Sequence, residues 1–429
     1  MRIVSIDWMD QRLNFLVRKE VKRQELTLDL IPSENIVSPE MLKILGSPLV
    51  NKYSEGYPGR RYYPGNEFYD EIENLARERA LKAFKLNPKN WAVNVQPYSG
   101  SPANLEIYFA LIKPGDTIMG LSLAHGGHLT HGHLVNFSGI LYKSQPYGLN
   151  LKTGYIDYKN LEKLARQHHP KIIVSGATAY PRKIDFKRIG EIAHKVGAYH
   201  VADISHIAGL VAAGAHPSPF SARGGQAPAD AVMATTHKTL RGPRGAVIWA
   251  NRESPIAKRN KIDIATAVDK AVFPGLQGGP HNNTTAAIAW TFGEVGTPKF
   301  RVYARQIVKN AKTLASELKK FGFNLVSGGT DNHLMLVDLR NKNITGLEAE
   351  KLLESGGIIA NRNAIPGDEK PFKPSGIRIG TPSVTSRGMK KREMKKIAEF
   401  IHELINLHTP VLKIKQRVET LARHFSLPY

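Results

Sequence analysis

Lys238 stands just past an apolar run, in Ala234-Thr235-Thr236-His237-Lys238-Thr239-Leu240, followed by Arg241-Gly242-Pro243-Arg244-Gly245. A lysine among other cations and partly desolvated has a lowered pKa, and its free amine can condense with an aldehyde. Read alone, it is more simply an ordinary turn lysine at the surface. Asp203 closes a second apolar run, Val201-Ala202-Asp203-Ile204-Ser205-His206, where an unpaired carboxylate would be costly to bury. It calls for a cationic partner, either an arginine or the protonated nitrogen of an aromatic heterocycle. Ser99-Gly100-Ser101-Pro102-Ala103-Asn104 precedes a helical pattern that places Leu105, Tyr108, Phe109 and Ile112 on its apolar face, with Pro102 in the first turn. The free N–H groups and two hydroxyls at such an end form a cup for phosphate, although any capped helix offers something similar.

An amine, a carboxylate and a phosphate cup in one region answer the aldehyde, ring nitrogen and phosphate of pyridoxal phosphate. Four histidines crowd into His125-Gly126-Gly127-His128-Leu129-Thr130-His131-Gly132-His133. With no neighbouring carboxylate and a glycine-rich turn they make a poor metal site, and an imidazole lying over an aromatic cofactor accounts for one of them more simply.

These groups need a scaffold. Between about residues 90 and 250, short runs such as Lys171-Ile172-Ile173-Val174, His200-Val201-Ala202-Asp203 and Ala231-Val232-Met233-Ala234 alternate with helical stretches like 186–196, which implies βαβ units and a mostly parallel sheet. After the loop Phe273-Pro274-Gly275-Leu276-Gln277-Gly278-Gly279-Pro280 the pattern changes. Ala304, Ile307, Val308, Ala311, Leu314, Ala315, Leu318 and Phe321 recur at three- and four-residue steps, predicting one long amphipathic helix. Strands are expected at 323–326 and 334–339, a capped helix from Thr345-Gly346-Leu347-Glu348, and another helix in the basic stretch after Thr385. The expected organisation is an N-terminal arm (1–29), a large domain on a mostly parallel sheet (30–281) and a smaller C-terminal α/β domain (282–429).

The chain has 429 residues, ample for two cores, and its 41% hydrophobic and 23% charged content is that of an ordinary folded protein. Neither a signal peptide nor a membrane-spanning run is visible, and there is no cysteine, so disulfides and thiolate chemistry are excluded and a cytoplasmic protein is expected. The net charge of +23 raises a nucleic-acid partner as one reading. Against it, the basic residues are scattered, and the densest run, Lys390-Lys391-Arg392-Glu393-Met394-Lys395-Lys396, reads as a solvated helix face.

With these pieces assembled, the chain resembles serine hydroxymethyltransferase, a fold-type I pyridoxal-phosphate enzyme, from about Leu28 to Pro382. The resemblance is carried by Leu30-Ile31-Pro32-Ser33-Glu34-Asn35, by Asn51-Lys52-Tyr53-Ser54-Glu55-Gly56-Tyr57-Pro58-Gly59-Arg60-Arg61-Tyr62-Tyr63, by the histidine run from Leu123, by the Lys238 segment and by Ser375-Gly376-Ile377-Arg378-Ile379-Gly380-Thr381-Pro382. It implies that Lys238 carries the cofactor covalently, with His237 beside it in the catalytic set, that His128 stacks on the ring, and that Asp203 pairs with the ring nitrogen. By the same resemblance Ser99, Gly100 and Ser101 hold the phosphate, helped by Gly279 of a neighbouring subunit. Thr178, His206 and Thr235 lie about the cofactor.

Ser33 and Arg378 match the pair that grips the amino-acid carboxylate, a task suited to the planar arginine fork. Tyr53, Glu55 and Tyr63 resemble residues reaching in from the partner of a homodimer, Glu55 managing the proton on the serine hydroxyl with a raised pKa. The implied reaction moves the hydroxymethyl carbon of serine to a reduced pterin carrier and leaves glycine.

Leu123, Gly127, His128, Leu129, Asn363 and Phe372 match carrier-contacting positions. Thr178 stands where serine is usual, Tyr98 where a histidine or another polar residue often stands, and Arg362 in place of lysine. The last two border the carrier region, so tetrahydrofolate and a modified pterin such as tetrahydromethanopterin, as in archaeal members, both remain open. Two rivals also remain: a threonine-aldolase-type lyase that needs no carrier, and a basic nucleic-acid-binding protein.

Overall fold

The computed structural model describes residues 10–220, 228–368 and 373–429. They form two compact units. One is Glu40–Arg305, and the other joins the segment up to Pro39 with Gln306–Tyr429.

The first unit is built on a seven-stranded sheet of β1 (Trp91–Asn94), β2 (Thr117–Met119), β3 (Lys143–Ser144), β4 (Ile172–Ser175), β5 (Tyr199–Asp203), β6 (Ala231–Thr235) and β7 (Ala246–Asn251), in the order β1-β7-β6-β5-β4-β2-β3. Only β7 runs against its neighbours, and β4, β5 and β6 are parallel, with Tyr199 opposite Ile172 and Val201 opposite Ala231. The central strands are buried along their whole length, which is why their sequences read as continuous apolar runs and not as alternations. A core of Ile107, Tyr108, Val174, Val201, Met233 and Ile248 lies against one face. On helix Gly100–Leu111 the buried residues are Ala103, Asn104, Glu106, Ile107, Tyr108 and Leu111, while Phe109 is exposed. The expected face of Leu105, Tyr108, Phe109 and Ile112 is thus rotated. The helix is apolar nearly all round, so periodicity gave no sharp direction.

The second unit has a four-stranded antiparallel sheet of β8 (Asn324–Leu325), β9 (Leu334–Asp338), β10 (Asn361–Asn363) and β11 (Gly376–Gly380), in the order β8-β9-β11-β10. Helices Gly346–Ser355, Lys391–Ile405 and Val411–Arg423 supply a core that includes Leu353, Ile397, Ile401, Leu404 and Val418. Thr345 and Glu348 form the capping box that their spacing predicts: Glu348 N–H donates to Thr345 Oγ1 at 3.2 Å, and Thr345 N–H donates to Glu348 Oε2 at 2.8 Å. The N-terminal segment is part of this unit. Leu28 and Asp29 pair in parallel with Ile358 and Ile359, and Leu28 and Leu30 are fully buried in the same core.

This division differs from the expected boundaries at 29/30 and 281/282. Helix Asn282–Val295 belongs to the first unit, and the boundary at 305/306 falls inside helix Pro298–Lys320. A continuous helix carries no Gly or Pro punctuation at such a boundary, and a strand pairing across some 330 positions leaves no local mark.

Candidate active site

Parallel strands present all their C-terminal ends at one edge of a sheet, and in open α/β sheets that edge is where ligands bind. Ser99–Ser101 follows β1, His128 follows β2, Thr178 follows β4, Asp203 ends β5, and His237 and Lys238 come directly after β6. Sequence positions spread over 140 residues are thereby gathered at one place.

Lys238 sits in a turn built by Thr236, whose Oγ1 donates to the Pro243 carbonyl at 2.6 Å, while Arg241 N–H donates to the Lys238 carbonyl at 3.0 Å. The cup touches this strand directly. A Cβ added at Gly100 would stand 2.6 Å from Thr235 Cγ2, so only glycine lets the helix start come so close. Ser99 is the N-cap of that helix yet makes no side-chain capping bond.

Asp203 is held by three donors. Oδ1 accepts from Ser205 N–H at 3.0 Å; Oδ2 accepts from Asn104 Nδ2 at 3.1 Å and from His131 Nε2 at 3.1 Å. Burial, the largest influence, pushes its carboxyl up, but the hydrogen bond from His131 and the positive surroundings, Lys238 included, outweigh this and hold it well below the usual carboxylate range. The four clustered histidines part ways. His131 turns to Asp203, His128 Nδ1 meets Thr130 Oγ1 at 2.7 Å, and His125 Nδ1 accepts from Leu149 N–H at 3.2 Å. His133 Nδ1 takes Val135 N–H at 3.4 Å. Burial, with the positive charges of His131 and Lys238, lowers the His128 pKa to about 4; burial, Lys238 and Arg244 lower that of His237 to about 3. Both rings are neutral at physiological pH.

Thr178 and Ala179 donate backbone N–H groups to the Gly126 carbonyl at 2.8 and 3.0 Å, joining the loop after β4 to the one bearing His128. The His206 carbonyl accepts from Thr239 Oγ1 at 3.0 Å. Leu123 and Leu129 project from this glycine-rich turn as exposed side chains, and Gly127 packs so closely that a Cβ would overlap the Leu121 carbonyl.

Tyr53, Glu55, Tyr63 and Gly279 form one block. The Tyr53 and Tyr63 rings lie 5.3 Å apart, the Tyr53 ring packs on Gly279, and the Glu55 carboxylate lies against Gly278. Tyr98 pins that loop by three contacts: its hydroxyl donates to the Gly279 carbonyl at 2.7 Å, its N–H to Gln277 Oε1 at 2.9 Å, and its ring stacks on His281 at 4.2 Å.

In the second unit, Arg378 on β11 is buried, which lowers its pKa to about 10 against the opposing pull of Glu34; its Nε donates to Asn361 Oδ1 at 3.2 Å. Ser33 lies in the turn closed by Glu34 N–H on the Ile31 carbonyl, and Gly380 N–H on the Leu30 carbonyl ties that turn to the end of β11. Asn363 is on β10, with Nδ2 bonded to the Ala364 carbonyl at 2.8 Å. Phe372 lies outside the described residues.

Asn104, Thr130 and His131 were not among the expected site residues, although each touches Asp203 or His128. Their signal was weak: an asparagine within an apolar helix, and a threonine and histidine within a motif whose other members drew the assignment.

The arrangement suits pyridoxal phosphate. Among the described residues Thr235 Oγ1 is buried without a hydrogen-bond partner, the Ser99 side chain is not spent on its helix, and a buried aspartate kept ionised is ready for a cationic nitrogen. A lysine turn, such an aspartate and a phosphate-ready helix end on one sheet edge define a pyridoxal-phosphate transferase of fold type I. The serine hydroxymethyltransferase family model matches residues 6–401, and the chain belongs to that family. Its activity is accordingly hydroxymethyl transfer between serine, which becomes glycine, and a reduced pterin carrier; the family acts as a dimer. Among the described residues no helix is long and apolar enough to cross a membrane.

Proposed function

We propose that Lys238 is the covalent anchor of pyridoxal phosphate, with Asp203 facing the ring nitrogen, His128 over the ring and Ser99, Gly100 and Ser101 around the phosphate. The observation that carries this reading is the common sheet edge on which these residues follow their strands, with Gly100 packed against Thr235. Pyridoxal phosphate, when bound, supplies an aldehyde for an amine and a protonated ring that draws electrons from the bond to be broken.

Asp203 acts by remaining ionised in a buried place and so holding a proton on the nitrogen it faces. Thr178, Thr235 and His206 supply polar groups around the ring, and neutral His237 packs beside Lys238 without adding charge. Ser33 and Arg378 grip the serine carboxylate, and the buried guanidinium acts with little screening. Glu55 takes and returns the proton of the serine hydroxyl, flanked by Tyr53 and Tyr63. That block, with Gly279, serves the partner's site in a homodimer. Leu123, Gly127 and Leu129, with His128, Asn363 and Phe372, receive the pterin, the exposed leucines offering an apolar surface for a flat ring.

Tetrahydromethanopterin is the proposed carrier, on the strength of Tyr98 and Arg362 at its border. The cytoplasm is the proposed compartment, supported by a cysteine-free chain that gains nothing from an oxidising one.

Borohydride reduction of the cofactor-loaded protein followed by peptide mapping tests the anchor. A pyridoxyl adduct on Lys238 is expected, and an adduct on another lysine overturns the assignment. Serine turnover assayed with both carriers tests the pterin, and a clear preference for tetrahydrofolate excludes the modified one.

A further inference from the structure

We propose that Asn104 and Thr130 are positioning residues that lock His128 in its Nε2–H tautomer and couple it to Asp203. The argument is a count of donors and acceptors. Thr130 N–H points at His128 Nδ1 from 3.2 Å, so that nitrogen is an acceptor and carries no proton. The Asn104 amide nitrogen has two hydrogens; one goes to Asp203 Oδ2 at 3.1 Å and the other to Thr130 Oγ1 at 2.8 Å. Having accepted from Asn104, the Thr130 hydroxyl directs its own hydrogen to His128 Nδ1 at 2.7 Å. Two donors thus converge on one ring nitrogen, and the proton of the neutral imidazole stands on Nε2.

A half-turn of the ring about Cβ–Cγ would put Cδ2–H in the place of Nδ1 and leave both donors without an acceptor, so the orientation is fixed along with the tautomer. Asn104 and Thr130 are themselves fully buried, and Tyr108, whose hydroxyl donates to the Thr130 carbonyl at 2.9 Å, holds the relay from behind. This rests on the reading that His128 lies over the cofactor ring. There, a neutral imidazole presents an electron-rich face to a cationic ring, whereas an imidazolium would repel it.

Selective ¹⁵N-histidine NMR of the cofactor-free protein reads the tautomer directly. In the wild type, His128 Nδ1 is expected to resonate as an unprotonated nitrogen and Nε2 as a protonated one. Thr130→Val, close in shape but without the hydroxyl, leaves only the longer 3.2 Å backbone donor on Nδ1 and should admit a measurable fraction of the other tautomer, and Thr130→Ser should restore the wild-type pattern. Titration with pyridoxal phosphate should show affinity about tenfold weaker for Thr130→Val and near wild type for Thr130→Ser, the effect of one buried hydrogen bond.

A wild-type His128 protonated on Nδ1, or a Thr130→Val spectrum unchanged from wild type, overturns the relay. A Thr130→Val affinity equal to wild type overturns its positioning role. If Thr130→Val does not fold, failure of Thr130→Ser to reproduce the wild-type spectrum overturns the relay instead. The NMR arm is blind to whether cofactor binds, so failure of the site reading, seen as no adduct on Lys238, stays distinguishable from failure of the relay.

Discussion

Glu106 is completely buried on helix Gly100–Leu111, and neither carboxyl oxygen has a hydrogen-bond partner among the described residues. Burial raises its pKa to about 8, so the folded protein keeps a proton that the unfolded chain gives up near the ordinary value of about 4.3. The unfolded state therefore binds fewer protons across that window, and stability falls as pH rises through it. Glu106→Gln should remove this dependence: denaturant midpoints are expected to match the wild type at acid pH, to exceed it increasingly above about pH 4.3, and to keep a constant lead above about pH 8. Arg378 is the converse case, a charge kept despite burial. Arg378→Ala should raise the serine dissociation constant by an amount equivalent to about 2–5 kcal/mol, and Arg378→Lys should recover only part of it, because an ammonium cannot reproduce the bidentate fork. Calorimetric serine binding to the loaded enzyme checks both.

Helices expose unsatisfied carbonyls at their C-termini, and in the second unit one side chain answers for two of them. The Arg387 guanidinium donates to Gln24, Glu25 and Thr27 at the end of helix Gln11–Leu26, and to Ala422 and Phe425 at the end of helix Val411–Arg423, at 2.6–3.2 Å. A positive charge there also opposes the negative ends of both dipoles. Arg387→Met should lower unfolding stability by about 3 kcal/mol, since five carbonyls, buried or partly buried, lose their donor, and Arg387→Lys should be intermediate. Urea titration with both variants checks this. Because the pinned segment includes the residues leading to Leu28 and Leu30, loosening it is expected to disturb the turn that bears Ser33 as well.

At the scale of the whole molecule, large apolar side chains are exposed between residues 50 and 68: Val50, Tyr53, Tyr62, Tyr63 and Phe68. A family that works as a dimer accounts for such a surface. If Glu55 serves the partner's site, mixing two inactive variants should restore activity. A heterodimer of Lys238→Ala and Glu55→Gln chains holds one site with both residues intact, so random pairing should return about a quarter of wild-type activity. Retained inactivity after subunit exchange, verified by mass, would place Glu55 in the site of its own chain.

Read as sequence, this protein declared its chemistry more clearly than its assembly. The places of Lys238, Asp203 and the Ser99 turn on one sheet edge were legible because each ends an apolar strand or follows it within a few residues, and a polar group there is conspicuous in the sequence. The capping box at Thr345 and the long helix to Lys320 were legible for the same local reason: their signals lie within a few residues. Tertiary structure alone decided that Asn104, Thr130 and His131 converge on Asp203 and His128, and that residues 28–30 complete a core made mostly of residues beyond 310. Those contacts join positions tens to hundreds of residues apart, and their energy comes from burial and hydrogen bonding that exist only once the distant segment has arrived.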